Sequence, residues 1–177
     1  ESVASGLRRL WLSWHYRSED ERLIAFSNNE VYSKRLVTFP GARAHLAITH
    51  ELVAPEASPN GAEESTTREV ERVVELVLEH ARTRPTESLG VITMGIKHCN
   101  RVQSALDKRL HELSSTEPQL RAFFDVARDE RFFVKNLETV QGDERDAILL
   151  SIGYGKDASG NVPLRFGPLL QESGYRR

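Results

Sequence analysis

Between Val70 and Ala81 the apolar residues Val70, Val73, Val74, Val77, Leu78 and Ala81 recur at intervals of three and four, the spacing that lines one face of an α-helix. Thr66 followed three residues on by Glu69 forms a capping box ahead of that stripe. The hydroxyl accepts from a free backbone N–H while the carboxylate reaches back to the cap. Arg82-Thr83-Arg84-Pro85 ends the helix. Leu89-Gly90-Val91-Ile92-Thr93 is then a short apolar run between turn formers, predicted as a buried strand, and a second helix carries Val102, Ala105, Leu106, Leu110 and Leu113. Pro118 suits the first turn of another helix, bearing Leu120, Phe123 and Phe124. Two further strands are expected at Arg131-Phe132-Phe133-Val134 and from Ala147 to Ile152, with a charged turn between them. Helices alternating with nearly continuous apolar strands imply βαβ units, hence an α/β fold with a mostly parallel sheet, helices on both faces and right-handed crossovers.

The chain before this region reads differently. Leu10-Trp11-Leu12-Ser13-Trp14 alternates like a strand, and Ser18 with Glu21 predicts a helix whose buried side is Leu23, Ile24 and Phe26, ending at Asn28-Asn29. Extended pieces are expected at Arg35 to Phe39, stopped by Pro40-Gly41, and from His45 to Val53, before a loop over residues 54–61. At the other end, Asp157 to Asn161 reads as a turn and Val162 to Leu170 as an irregular or hairpin-like excursion.

Composition narrows the class. With 177 residues, 39% hydrophobic and 28% charged, the expectation is one soluble globular domain over residues 1–177. Twenty-four Lys and Arg against 26 Asp and Glu give a net charge of -2, which excludes a polycation that binds nucleic acid through bulk charge, so any polyanion site must be local. The absence of a long apolar run or a basic-apolar leader points to a cytoplasmic location and no membrane partner. Cys99 stands alone, so neither an internal disulfide nor a multi-cysteine zinc knuckle is possible, and His45, His50 and His98 lack a convincing ligand spacing. Met94 is the only methionine, and both ends read as those of a segment cut from a longer protein.

Two segments could carry chemistry. His15-Tyr16-Arg17-Ser18 ends the first strand, where open α/β sheets place ligands. A tyrosine offers a flat face to a base and an arginine a planar fork to phosphate oxygens, although a packed Tyr beside a solvated Arg fits the tetrapeptide too. Glu138 to Asp146 contains Gly142, which permits close backbone approach to a phosphate, and Glu144, which can accept from a ribose. A plain charged turn is the alternative, and the acids Asp143, Glu144 and Asp146 also raise the possibility of a hard cation.

Taken together, Leu12-Ser13-Trp14-His15-Tyr16-Arg17-Ser18, followed by Leu23 to Asn28 and Val31-Tyr32, resembles motif IV of superfamily 1 helicases of the Upf1-like type. Val140-Gln141-Gly142-Asp143-Glu144-Arg145-Asp146, running on to Ser151, is similar to their motif V. Val91-Ile92-Thr93 matches the strand before a segment usually written Thr-Pro-Tyr-x-x-Gln, with Gly95 in place of the aromatic and His98 in place of the Gln. The resemblance implies a RecA-like domain of the P-loop NTPase type, a three-layer fold, and specifically the second motor domain of an ATP-dependent DNA or RNA helicase or translocase. The first RecA-like domain would lie before Glu1 and motif VI beyond Arg177.

It also implies roles. Tyr16 would stack on the adenine of ATP and Arg17 would reach the γ-phosphate as an arginine finger. Gly142 and Glu144 would meet the γ-phosphate side and the ribose. Thr93 and Thr139 would donate to phosphates of a single nucleic-acid strand, with Gln141 between the two sites. Mg²⁺ would be held by the first domain, so the fragment alone is expected to be inactive. Lys97, Lys135 and Asn136 are plausible further phosphate contacts or ordinary surface groups, and Trp11 and Trp14 either stack on bases or, as their alternation favours, belong to a core. Arg17 and Glu144 are expected on one rim at the carboxyl ends of neighbouring strands. The rival function is a RecA-like module that binds nucleic acid or protein without turnover.

Overall fold

The computed structural model describes residues 10–15, 18, 20–39, 41, 47–54, 65–154 and 161. The chain divides into two compact units, one reaching Leu52 and the other beginning at Val53.

Among the described residues the second unit has three helices and three strands whose positions follow the apolar pattern: α2 (Thr67–Thr83), β1 (Leu89–Thr93), α3 (Ile96–Leu113), α4 (Leu120–Phe123), β2 (Phe133–Asn136) and β3 (Ala147–Ser151). Thr66 caps α2, its hydroxyl accepting from the Glu69 amide at 3.2 Å. The whole Val70 to Ala81 stripe is buried, and it meets Val102 and Leu106 of α3 and Leu89 and Val91 of β1 in one core. Burying each such side chain is worth about 1.5–3 kcal/mol, so this contact between helices and sheet dominates the unit's stability.

The strands lie in the order β2-β1-β3, all parallel, with Thr93 opposite both Asn136 and Ser151. Alternation along a strand sorts the side chains into two sets. Leu89, Val91, Val134, Ala147 and Leu149 join the core beneath α2 and α3. The opposite set is Gly90, Ile92, Phe133, Lys135, Ile148 and Leu150, of which Ile148 and Leu150 remain exposed. β2 begins two residues later than the apolar run predicts. Its would-be first carbonyl, at Arg131, accepts from the Arg145 guanidinium at 2.7 and 3.0 Å instead of from a ladder partner.

Because β2 and β3 are parallel and flank β1, the connection over residues 137–146 must return from the carboxyl end of one to the amino end of the other. It does so on the face away from the helices. Lys135, on that face, pairs with Asp143, and the Arg145 guanidinium lies 4.8 Å from the centre of the Phe133 ring. Gly90 is required beneath it, since a Cβ there would meet the Phe133 ring at 2.4 Å.

In the first unit, α1 (Glu21–Glu30) is capped by Asp20 rather than Ser18. The Asp20 carboxylate accepts from the Arg22 amide at 2.9 Å and from its guanidinium, which fixes the helix start two residues after the expected cap. The alternating Leu10 to Trp14 segment contributes only an isolated bridge between Trp14 and Val37. Its tryptophans are not core: Trp14 is 70% exposed, and Trp11 lies under the Arg35 guanidinium at 3.8 Å. α1 buries no residue, so Leu23 and Phe26 do not form the buried side their spacing predicts. Residues 47–54 form no strand. The turn at 157–160 and the excursion at 162–170 lie outside the described residues.

A three-stranded parallel sheet with helices in this order is an α/β fold consistent with the RecA-like type. Among the described residues the helices pack on one face only, and no helix covers the other, whereas the sequence pattern predicts helices on both faces. Among the described residues no helix is long and apolar enough to cross a membrane.

Candidate functional site

The 137–146 connection is pinned at its ends and exposed at its apex. At the carboxyl edge of the sheet, the Leu137 amide donates to Thr93 at 2.9 Å. The Thr139 hydroxyl donates toward Asn136, 2.6 Å from its buried side-chain oxygen and 3.2 Å from its carbonyl. Next comes a tight turn: the Asp143 amide donates to Val140, and Gly142 sits at φ +89°. A positive φ at the third position of such a turn is where glycine belongs. A Cβ at Gly142 would meet nothing within 4 Å, so the glycine serves conformation and leaves open space in front of the backbone.

The far end is held by charge and hydrogen bonds. The Lys135 ammonium holds the Asp143 carboxyl below the usual carboxylate range. Asp146 accepts from the Ser88 amide at 2.7 Å and its hydroxyl at 2.9 Å, and these bonds lower its pKa, the backbone donor contributing most. Ser88 is buried and also bonds to Glu130. Gln141, Gly142 and Glu144 between the two anchors are exposed. The arrangement presents a fixed backbone turn and a carboxylate to solvent, a shape suited to a phosphate and a hydroxyl-bearing ligand.

Thr93 and Thr139 come together at the carboxyl edge, Thr93 paired with Asn136 in register and Thr139 bonded to it. Thr93 is fully buried, its hydroxyl donating to the Gly95 carbonyl at 3.1 Å. Glu144 is placed elsewhere. Its neighbours Arg145 and Asp146 bind Arg131 and Ser88, which precede β2 and β1, so Glu144 lies toward the amino ends of the strands. That corrects the expectation of a carboxyl-end position, which treated the connection as a short turn rather than a crossover. Tyr16 and Arg17 lie outside the described residues. Lys135 and Asn136 are engaged in pinning the connection, by Asp143 and Thr139 respectively. Asp143 and Asp146 point to different partners, and among the described residues no three metal-ligating side chains converge.

Ser88 and Glu130 carry no local signal of their role, because their partners are up to 58 residues away. Asp146 was the last acid of the motif V-like run, and its charge was the available clue.

The described fold is α/β and consistent with the RecA-like type, and it carries an exposed Gln-Gly-x-Glu turn. Over 168 residues the chain is 31% identical to a protein of Mycoplasma genitalium named uncharacterized ATP-dependent helicase MG140, matching 94% of this chain and 14% of that protein. A Mycoplasma pneumoniae protein, named a homolog of MG140, is 30% identical over 172 residues with the same coverage. The chain is thus related along nearly its whole length to helicase-named proteins, of which it spans 14%. No family model and no solved structure matches it.

Proposed function

We propose that this chain is the second motor domain of an ATP-dependent helicase or translocase of superfamily 1, Upf1-like type, and that it supplies half of an ATP cleft and part of a single-strand surface. The observation that carries the reading is the pinned, exposed turn at Gln141-Gly142 with Glu144 beside it, in a chain whose relatives are named ATP-dependent helicases. In this reading Tyr16 stacks on adenine, Arg17 meets the γ-phosphate, the backbone at Gly142 approaches the phosphate side and Glu144 accepts from the ribose, so that the nucleotide runs along the exposed side of the 137–146 connection toward the amino ends of the strands rather than across the carboxyl rim. The open space before Gly142 fits such an approach. Mg²⁺ belongs to the first RecA-like domain of the full-length protein, and when bound with ATP it neutralises charge on the transferring phosphate. In this reading the 177-residue chain by itself does not turn over ATP.

In this reading Thr139 and Gln141 face the nucleic-acid strand, whereas Thr93, which has no exposed surface, reaches a phosphate only if the Thr93–Gly95 turn opens locally. A hydroxyl has one proton, and those of Thr93 and Thr139 are already donated to Gly95 and Asn136. Donation to a strand phosphate therefore entails an exchange of acceptors, which makes the carboxyl edge responsive to the strand.

The test is Glu144→Ala in the full-length protein. Losing a charged hydrogen bond to the ribose should raise the KM for ATP about tenfold with kcat little changed, since the ribose contact is the same in ground and transition states. An unchanged KM would remove Glu144 from the nucleotide site.

A further inference from the structure

Three polar side chains outside the surface just described meet inside the second unit. Glu69 is the third residue of α2, His98 the third of α3 and Ser151 the last of β3. The Ser151 hydroxyl lies 2.7 Å from a Glu69 carboxylate oxygen, and the Gly153 amide donates to that same oxygen at 2.8 Å. His98 Nε2 lies 2.7 Å from the Ser151 hydroxyl. A carboxylate can only accept, so the serine proton is directed to Glu69 and the serine oxygen accepts from His98 Nε2–H. That fixes the tautomer. Nδ1 is left as a lone pair, buried and without a hydrogen-bond partner, in a side chain only 4% exposed.

Glu69 departs from the capping-box pattern in a telling way. Thr66 caps the helix as expected, yet the carboxylate that should return to the cap crosses to β3 instead. Gly153 completes the fit: its φ is +74°, and a Cβ there would stand 2.3 Å from the His98 ring. The cluster also touches the carboxyl edge. The Met94 amide donates to the Ser151 carbonyl, Thr93 is the register partner of Ser151, and α3, which carries His98, opens at Gly95 without a side-chain cap.

We propose that Glu69, Ser151 and His98 form a positioning latch that holds the exit of β3 and the turn at Gly153 against the Thr93–Gly95 segment, and so keeps the strand-facing edge in shape. None of the three is placed in contact with nucleotide or strand; they act through Thr93–Gly95. The latch stands on the geometry of this unit, while its effect on strand binding rests on the motor-domain reading above.

The latch has a characteristic response to acid. A second proton would give Nδ1 an N–H with no acceptor and would bury a cation. The charged groups acting on it are the Glu69 carboxylate from α2, which favours that cation, and the Arg101 guanidinium from α3, which opposes it; β3 contributes the neutral Ser151. Burial outweighs the attraction and keeps the imidazole neutral, with its pKa below the usual histidine range. Acidification therefore loosens the latch.

The test combines residue-level amide exchange at Gly153 with strand-stimulated ATP turnover, both in the full-length protein. Glu69→Ala and His98→Leu should speed Gly153 exchange by roughly tenfold or more and raise the half-saturating single-strand concentration several-fold, with kcat at saturating strand little changed. His98→Gln is the discriminating variant, because its amide can donate to Ser151 but cannot titrate. It should retain wild-type values at about pH 7.5 and lose the weakening of strand binding expected of the wild type as the pH falls below the ordinary histidine range. A merely structural histidine would not give that pairing of rescue and lost pH response. Equal Gly153 exchange in wild type and Glu69→Ala, or the same pH response in wild type and His98→Gln, overturns the latch. Should the wild type show no strand-stimulated turnover while Gly153 exchange changes as expected, the motor reading falls, and the latch's role in strand binding falls with it.

Discussion

Replacing Gly90 by alanine tests how the sheet supports the connection that carries Gly142 and Glu144. The new Cβ would stand 2.4, 2.8 and 2.9 Å from three ring carbons of Phe133. Carbon atoms pack at roughly 3.5–4.0 Å, so the ring must retreat by about 1 Å. Phe133 is largely buried, with the Lys135 ammonium 5.1 Å and the Arg145 guanidinium 4.8 Å from its centre, so it cannot move without disturbing both. Alanine regains about 0.5–1 kcal/mol of backbone entropy over glycine in a strand. Overpacking costs about 1–3 kcal/mol, and weakening two cation–ring contacts adds about 0.5–1 kcal/mol each. The net expectation is a loss of about 1–4.5 kcal/mol, which for a chain of this size lowers Tm by roughly 2–4 °C per kcal/mol.

Urea unfolding followed by circular dichroism, with an unchanged slope, measures the loss. Phe133→Leu should rescue part of it, giving a coupling of about 1 kcal/mol or more in the double-mutant cycle. A neutral or stabilising Gly90→Ala, or one equally harmful with Leu at position 133, would refute the idea that the ring under the connection is held by the missing Cβ.

Leu106→Ala, at a fully buried position between α2, α3 and the sheet, should cost about 2–5 kcal/mol in the same unfolding assay. Asp146→Asn should cost only about 1 kcal/mol, because its bonds to Ser88 are partly exposed to solvent. The Asp146 carboxyl is held below its ordinary pKa of 3.8, so its contribution is fully present above that value and is lost as the pH falls through the folded pKa; wild type and Asp146→Asn should converge in stability there.

The helical stripe of α2, the buried β1 and the core of α3 were legible because each is a local repeat of apolar positions that ends up in one cluster. The Gln-Gly-x-Glu turn was legible because glycine marks a backbone requirement, met here by a φ of +89° at Gly142. What was hidden depended on partners remote in sequence. Glu69 has the local spacing of a capping residue, yet its hydroxyl partner is 82 positions away. Ser88 organises the start of β3 from 58 positions away. The Trp11 and Trp14 alternation says only that one face can be buried, not that anything covers it, and Trp14 is 70% exposed. Glu144 was assigned to the wrong end because charge and glycine content mark a turn without revealing that it is a crossover between parallel strands.

The central claim, that this chain completes an ATP cleft, is tested most directly at Arg17. In the full-length protein, Arg17→Ala should lower single-strand-stimulated ATP turnover by roughly two or more orders of magnitude, as expected for loss of an arginine finger. Thermal melting of the domain should hardly move, by no more than about 0.5 kcal/mol. Arg17→Lys should fail to restore the rate, because an ammonium cannot make the planar two-point contact. Near-normal turnover by Arg17→Ala, or turnover lost only together with the fold, would contradict the account.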